Sequence, residues 1–266
     1  MHTTLLVIDP QNDFVDPETG RLYVAGAEED MRRLATMLDR MRSEIDEIHV
    51  TLDSHHPVHI AHPIFWTGKD GDAPEPFTTI TLDDVERGTW TTARPELRQR
   101  GLDYVRALDA NGRYQLTIWP PHCLIGSTGH AVYPPLFAAL TAWERERFAA
   151  IDYVMKGSNL YTEHYSAVRA DVPDPDDPST DLNRRLIDAL ERADRVLVAG
   201  EALTHCVAST VRDVAANYAD PRNVAKLVLL TDATSGIPGF ESHGSCFLDD
   251  LKALGMRTAK TVEITR

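Results

Sequence analysis

The chain has 266 residues, with 41 acidic against 27 basic side chains and a formal net charge of −14. Nucleic acids and anionic membranes bind to basic surfaces, so we expect this chain to bind neither. A hydrophobic fraction of 42% is typical of a globular protein, and the length fits one or two domains.

The three cysteines, Cys123, Cys206 and Cys246, form no CxxC pair, so we expect no disulfide framework and a reducing compartment. The first residues lack the basic segment of a signal peptide, and no apolar run is long enough to span a bilayer. These features together predict a soluble, cytoplasmic protein.

Short apolar runs rich in β-branched residues alternate along the chain with helical patterns. Apolar side chains repeat every three or four residues in four segments that we predict to be helical: 28–45, 182–190, 205–218 and 242–254. Seven runs predict buried strands: 4–8, 48–52, 115–118, 151–155, 195–199, 224–230 and 257–264. Alternation of strands and helices is typical of an α/β fold built on a parallel sheet.

Two segments interrupt this alternation, a long one rich in Pro, Gly, Asp and Thr at 57–112 and an acidic, Pro-rich one at 171–180. Candidate catalytic residues lie on both sides of each segment, so neither is interpreted as a domain linker. We predict a single domain over 1–266, with an insertion at about 57–112 between the second and third strands.

Polar residues follow five of the predicted strands. Ligands of open α/β sheets bind at the carboxyl ends of the strands, so these residues should meet at one edge. Taken singly, a strand-end Asp is more often a turn residue and a lone Cys more often a small buried side chain. Together they indicate a catalytic site, and they are Asp9, Asp53 with His55, Trp119 leading to His122, Lys156, and the segment that leads to Cys206.

Cys206 lies at the predicted start of a helix. Free backbone N–H groups and the positive end of a helix stabilise a thiolate, and the same N–H groups can hold an oxyanion. We therefore interpret Cys206 as a nucleophile rather than as a buried structural cysteine. The adjacent His205 points elsewhere and is given a binding or structural role.

One carboxylate and two imidazoles, from Asp53, His55 and His122, form a set suited to a divalent metal. Zn²⁺ is the favoured ion, with Fe²⁺ and Mn²⁺ as alternatives. The spacing of the run 55–62 leaves open whether His59 is a further ligand. A His-rich surface loop that holds no metal is the other interpretation.

Six ordered segments resemble those of the nicotinamidase and isochorismatase-like cysteine hydrolases, over the range from Leu5 to about Gly255. They are the catalytic-Asp segment 6–14 (LVIDPQNDF), Asp53-Ser54-His55, the second metal-ligand segment 119–129 (WPPHCLIGSTG), the Lys segment 156–167, the nucleophile segment 200–207 (GEALTHCV) and the later strand end 231–236 (TDATSG).

The resemblance implies a single doubly wound, mainly parallel six-stranded sheet with helices on both faces. It implies a catalytic triad of Asp9, Lys156 and Cys206. It also implies a cis peptide bond before Ala202, which would direct the N–H groups of Ala202 and Cys206 at the oxyanion.

The metal triplet of Asp53, His55 and His122 favours the amidase branch of this superfamily. Phe14 and Trp119 match the aromatic residues that flank the pyridine ring there, although core packing is the alternative role for both. The implied reaction is release of ammonia from a small carboxamide, with nicotinamide to nicotinate as the first candidate, through a Cys206 thioester.

Departures from the family pattern lie around the pocket and bear on substrate identity. Pro57 comes after His56 rather than directly after the metal-binding histidine, and Glu163-His164 stands where Asp-Ser is common. The first alternative is another hydrolase of the superfamily that acts on a different amide, a ureido acid or a vinyl ether. The others are a non-catalytic, metal-binding member of the superfamily and a cysteine redox protein. Because family members often assemble, a homo-oligomer is also expected.

Overall fold

The computed structural model describes residues 1–265. Its strands are β1 (Thr3–Ile8), β2 (Glu47–Asp53), β3 (Trp66–Gly68), β4 (Thr79–Ile80), β5 (Trp90–Thr92), β6 (Leu116–Thr117), β7 (Asp152–Lys156), β8 (Arg195–Gly200), β9 (Leu227–Leu230) and β10 (Arg257–Ala259). Its α-helices are α1 (Asn12–Val15), α2 (Ala27–Met41), α3 (Leu82–Glu86), α4 (Arg98–Asn111), α5 (Pro134–Arg147), α6 (Arg184–Arg192), α7 (Ala208–Asn217) and α8 (Glu241–Ala253).

Six of the strands form one parallel sheet in the order β10-β9-β8-β1-β2-β7. All six side chains of β1 are buried, as are all four of β9. Since successive side chains of a strand point to opposite faces, both faces of the sheet must be covered. Helices α2 and α5 pack together, as do α7 and α8. The predicted six-stranded, doubly wound α/β fold is confirmed.

The predicted strand at 115–118 was wrong as a member of the main sheet. Residues 116–117 form β6, which pairs antiparallel with β4 in a separate two-stranded sheet. The run is buried and apolar, as a central strand would be, but Pro120 and Pro121 follow it directly and cannot donate to a ladder. The other six predicted runs each overlap one of the six main-sheet strands.

The segment 57–112 holds more regular structure than its composition indicates. It contains the antiparallel pair β3–β5, strand β4, and helices α3 and α4. Helix α4 buries a face of Gly101, Tyr104, Val105 and Leu108, which is too mixed in polarity for a clear helical pattern in the sequence. Across residues 1–265, no helix combines the length and the apolar character that crossing a membrane requires.

Candidate active site

Four neighbouring main-sheet strands bring polar residues to one edge. Asp9 directly follows β1, Asp53 ends β2, Lys156 ends β7, and Cys206 lies in a π-helical turn, Leu203–Val207, after β8. All four side chains are buried. Because β8, β1, β2 and β7 are adjacent in the sheet, their carboxyl ends form a continuous edge. The convergence expected from the sequence is present for these residues.

His122 lies close to these residues, but it does not follow a main-sheet strand as expected. It lies in the loop after β6, outside the main sheet, so its position depends on contacts of that loop. The Asp13 carboxylate accepts the Cys123 N–H at 2.6 Å, and His55 forms a β-bridge with Leu124. These contacts hold the loop against the end of β2, where His122 faces Asp53.

Lys156 lies between two carboxylates. Its Nζ is 2.9 Å from Asp9 Oδ2 and 3.0 Å from Asp53 Oδ1, and it also donates to the His164 carbonyl at 3.0 Å. The Cys206 Sγ lies 3.7 Å from the same nitrogen. Burial alone would lower the pKa of Lys156, but the Asp53 and Asp9 carboxylates outweigh burial and hold it well above the usual range. Lys156 is therefore an ammonium ion in this site.

Asp9 is oriented by the neighbouring strand. The Thr51 hydroxyl donates to Asp9 Oδ1 at 2.5 Å and accepts the Asp9 N–H at 3.0 Å. Burial raises the pKa of Asp9, and the Asp53 charge adds to this, while Lys156 and Thr51 act in the opposite direction. A carboxyl group with a raised pKa can accept a proton and return it, as a general base and acid must.

The Cys206 thiol differs from the expectation that its helix start would favour a thiolate. Burial raises its pKa well above the usual value, and the Asp9 and Asp53 charges also raise it, against the opposing effect of Lys156. The thiol is 6% exposed, so water stabilises the thiolate little. Cys206 therefore rests as a thiol and needs a base to become a nucleophile.

The segment that carries Cys206 has a defined backbone. The Glu201–Ala202 peptide bond is cis, as the resemblance implied. The N–H groups of His205 and Val207 both donate to the Ala202 carbonyl, at 3.1 Å each, and the Leu203 N–H donates to the Ser235 carbonyl at 2.8 Å. These bonds give the turn around Cys206 one conformation.

Asp53, His55 and His122 present their ligand atoms to one another. Asp53 Oδ2 lies 3.1 Å from His55 Nε2 and 3.3 Å from His122 Nε2. The other ring nitrogens, both Nδ1, donate to the carbonyls of Gly157 at 3.0 Å and Pro120 at 2.9 Å. With Nδ1 protonated, a neutral imidazole would direct the Nε2 lone pair at a carboxylate oxygen. This arrangement needs positive charge between these atoms, from a proton on an imidazole or from a bound cation, and the residues fit a divalent metal.

His59 and His62, the other two buried histidines of the run 55–62, differ in whether their ring nitrogens have hydrogen-bond partners. His59 Nε2 donates to the Thr162 carbonyl at 3.1 Å, and its Nδ1 accepts the Ala61 N–H at 3.2 Å, so both nitrogens are engaged. His62 Nδ1 donates to the Pro57 carbonyl at 3.2 Å, and its buried Nε2 has no partner among the described residues. The hydrogen bonds therefore favour His62 over His59 as a further ligand.

Glu163 was missed as a site residue. It is 4% exposed, and its Oε1 lies 4.0 Å from His55 Nε2 while it accepts the His164 N–H at 2.8 Å. Burial and the Asp53 charge raise its pKa, and His55 lowers it. His62 was missed as well. The signals that would have found them are the fourth histidine of the run 55–62 and the acidic residue soon after Lys156.

A narrow apolar pocket opens beside the Cys206 thiol. Phe14 and Trp119, 4% and 2% exposed, both line it, and the Trp119 indole donates to the Tyr165 hydroxyl at 2.8 Å. His205 also lines it as a neutral imidazole, because burial lowers its pKa to about 3. The lining combines aromatic and aliphatic residues with ionisable ones: Phe14, Leu22, Trp119, Tyr165, Ala202 and Ile237, with Asp53, His122, Glu163, His205 and Cys206.

No family model matches the chain. The nicotinamidase of Saccharomyces cerevisiae is 27% identical over 207 residues, which cover 78% of each chain. Its solved structure superposes with a TM-score of 0.66 at 24% identity, covering 97% of this chain and 99% of the yeast chain. The chain is therefore similar in sequence to a nicotinamidase and shares the fold of solved nicotinamidases and of an isochorismatase family protein.

Other solved members share the fold at lower identity. A nicotinamidase and pyrazinamidase of Acinetobacter baumanii superposes with a TM-score of 0.65 at 20% identity, covering 99% of this chain and 98% of its own. A pyrazinamidase of Pyrococcus horikoshii in complex with zinc superposes at 0.56 with 18% identity, covering 98% and 99%. The sequence similarity to the yeast nicotinamidase indicates an amidase-type hydrolase.

Proposed function

We propose that this protein is a cysteine amidase that releases ammonia from a small aromatic carboxamide, with nicotinamide as the first candidate substrate. The observation that carries the proposal is the position of the Lys156 ammonium, 2.9 Å from Asp9 and 3.7 Å from the Cys206 sulfur. The ammonium joins a base to a nucleophile, and the nucleophile Cys206 lines a pocket together with Phe14 and Trp119. The yeast relative, itself a nicotinamidase, supports the choice of substrate.

In the proposed reaction, Asp9 accepts the Cys206 proton and the thiolate attacks the amide carbon. Lys156 balances the negative charge that moves between Asp9 and the sulfur. The N–H groups of Ala202 and Cys206 hold the oxyanion, and Asp9 returns the proton to the departing ammonia. A water molecule then attacks the thioester carbon while Asp9 accepts its proton. The C–S bond breaks, Asp9 returns the proton to the Cys206 sulfur, and the carboxylic acid leaves.

Asp53, His55 and His122 would hold a divalent metal, and zinc is proposed because the Pyrococcus horikoshii relative was solved with it. Such a cation supplies Lewis acidity and lowers the pKa of a bound water. The chain's own residues do the covalent chemistry, and the carboxylate of Asp53 also holds the Lys156 ammonium at 3.0 Å. A single domain over 1–266 and a homo-oligomer remain predictions.

Replacement of Cys206 by Ala tests the nucleophile. We expect Cys206→Ala to abolish ammonia release from nicotinamide while the far-UV circular dichroism and the metal content stay unchanged. Cys246→Ala is the matched control, because Cys246 is exposed on α8. Ammonia release by the Cys206→Ala variant at the wild-type rate would refute the thioester.

The substrate class is tested by a panel of nicotinamide, pyrazinamide, benzamide, a ureido acid and a vinyl ether. We expect turnover of the aromatic carboxamides and none of the last two. Turnover of the ureido acid or the vinyl ether alone would assign the protein to a different reaction of the superfamily.

A further inference from the structure

Two buried carboxyl groups lie outside the pocket, beneath the segment that carries Cys206. Glu201 is fully buried and Asp30, on α2, is 3% exposed. Glu201 immediately precedes Ala202 in the chain, and its own N–H donates to the Ile8 carbonyl of β1 at 2.8 Å. Neither carboxyl group has a part in the proposed reaction, so their burial needs another explanation.

Ser235 connects both carboxyl groups to the turn around Cys206. Its N–H donates to Glu201 Oε2 at 3.0 Å, and its hydroxyl donates to Asp30 Oδ2 at 2.5 Å. Its carbonyl accepts the Leu203 N–H at 2.8 Å. Ser235 therefore links helix α2 to the residues on both sides of Ala202 through three hydrogen bonds.

Asp30 and Glu201 differ in the charged groups that lie beside them. Arg33, one turn along α2, pairs with Asp30 at 2.6 Å, and its Nε donates to the Asp232 carbonyl. Glu201 has no such partner, and its Oε1 is buried without a hydrogen bond among the described residues. Asp9, at the end of the adjacent strand β1, pairs with Lys156 instead. Burial raises the pKa of Glu201 well above its usual value, and the Asp30 charge adds to this.

We propose that Glu201, Ser235 and Asp30 form a buried latch, in which Glu201 is a neutral acid, that positions the Ala202 and Cys206 N–H groups for catalysis. Asp30 pairs with Arg33, whereas no cation faces Glu201 among the described residues. Glu201 is thus a positioning residue that never touches the substrate. The effect on catalysis rests on the proposed function, whereas the protonation of the latch does not.

The protonation is tested by thermal unfolding as a function of pH. An acid whose pKa is raised by folding stays protonated in the native state after the unfolded chain has lost the proton. Stability then falls as pH rises above the usual Glu value, until the native pKa is reached. Glu201→Gln cannot ionise, so its Tm should rise relative to wild type by about 2–4 °C per pH unit between pH 5 and 8.

Other buried acids contribute equally to both proteins and cancel in this difference. Glu96→Gln, at an exposed position, is the matched control and should show no such trend. A Tm difference between Glu201→Gln and wild type that stays flat from pH 5 to 8 would overturn the proposal, because Glu201 would then be ionised in the native protein.

The positioning role is tested by steady-state kinetics with nicotinamide at pH 7. Glu201→Gln keeps an acceptor for the Ser235 N–H and should retain kcat within about threefold. Glu201→Leu removes the acceptor and should lower kcat by about 10–100-fold with KM nearly unchanged, because the N–H groups act on the transition state. Wild-type kcat in Glu201→Leu would refute the positioning role.

A second variant tests the positioning role if Glu201→Leu fails to fold. Ser235→Ala removes only the hydroxyl bond to Asp30, and we expect it to lower kcat several-fold. Ser245→Ala, exposed on α8, is its control. Equal kcat values in Ser235→Ala and Ser245→Ala would refute the positioning role of the latch. If wild-type protein released no ammonia from any carboxamide, the proposed function would fail, while the Tm comparison would still test the latch.

Discussion

Lys156 determines the charge balance of the candidate site at the scale of single residues. Its ammonium lies between the carboxylates of Asp9 and Asp53, 2.9 and 3.0 Å away, and is itself 2% exposed. Removing one partner of a buried ion pair leaves the other charge without compensation, which costs about 3–5 kcal/mol. This residue therefore contributes both to folding and to the proposed reaction.

We expect Lys156→Met, which has a similar length and no charge, to lower the free energy of unfolding by about 3–5 kcal/mol in urea titrations. The variant should also lose about 10²–10⁴-fold in kcat, because Asp9 loses the charge that keeps it ready to accept a proton. Lys69→Met, at an exposed position, is the control. A variant with wild-type stability would contradict the charge balance described here.

His122 and His59 differ in what their ring nitrogens can offer a metal. His122 directs a free Nε2 at Asp53, whereas both nitrogens of His59 are hydrogen-bonded. We expect His122→Ala to weaken zinc binding by more than about 100-fold, beyond the effect typical of outer-shell changes. His59→Ala should retain zinc at close to the wild-type ratio.

Zinc content after dialysis, measured by inductively coupled plasma mass spectrometry, compares these two variants with wild type. Equal loss of zinc from both would show that His59 is a ligand despite its hydrogen bonds. Circular dichroism provides the control for folding.

At the scale of elements, the end of β7 shows how backbone conformation shapes the site. Gly157 follows Lys156 with φ +79°, a left-handed conformation that favours glycine. A Cβ at this position would lie 2.8 Å from Asp53 Oδ1 and 2.9 Å from His55 Cε1. The chain can therefore turn at this point and still leave room for Asp53 and His55 only with glycine here.

We expect Gly157→Ala to destabilise the protein by about 1–3 kcal/mol and to weaken zinc binding, because Asp53 and His55 must move. Gly126→Ala is a matched control, since Gly126 has φ +86° and a Cβ there would meet no atom within 4 Å. Its backbone strain is similar, so the difference in zinc affinity isolates the steric contact. Identical zinc affinities would contradict the contact with the ligands.

Elements also show what the sequence could predict. Runs such as 195–199 are apolar and β-branched because both faces of their strands are buried, and all six main-sheet strands were found in this way. The run 115–118 has the same composition but pairs with β4 instead. Helix α4 was missed because its buried face is short and interrupted. The composition of a run indicates that its strand is buried, but it does not indicate with which strand it pairs.

At the scale of the whole molecule, the sheet order explains which site residues could be anticipated. Asp9, Asp53, Lys156 and Cys206 end adjacent parallel strands, so their convergence follows from the topology. Contacts of the loops are set by tertiary packing, which one sequence does not report. His62, Glu163 and the pairing of Glu201 with Asp30 depend on such packing and were missed.

Acids whose pKa values are raised by folding keep their protons in the native state after the unfolded chain has lost them, so each contributes stability that falls as pH rises. Asp171 is one of them: burial, with the Glu163 charge, raises its pKa to about 7. The unfolded chain releases this proton near pH 4, so the native state loses stability between pH 4 and 7 and the loss ends above the native pKa. Asp171→Asn keeps an acceptor for the Tyr165 N–H, which now lies 3.3 Å away, and removes the titration.

We therefore expect the Tm of Asp171→Asn, relative to that of wild type, to rise as pH increases from 4 to 7. Above pH 7 the difference in Tm should stay constant. Asp188→Asn, exposed on α6, provides the control, and scanning calorimetry at matched ionic strength gives the measurement. A difference that falls with rising pH would mean that the carboxylate of Asp171 is stabilised by its surroundings. In that case the Arg113 guanidinium, whose charge opposes the shift, would outweigh burial.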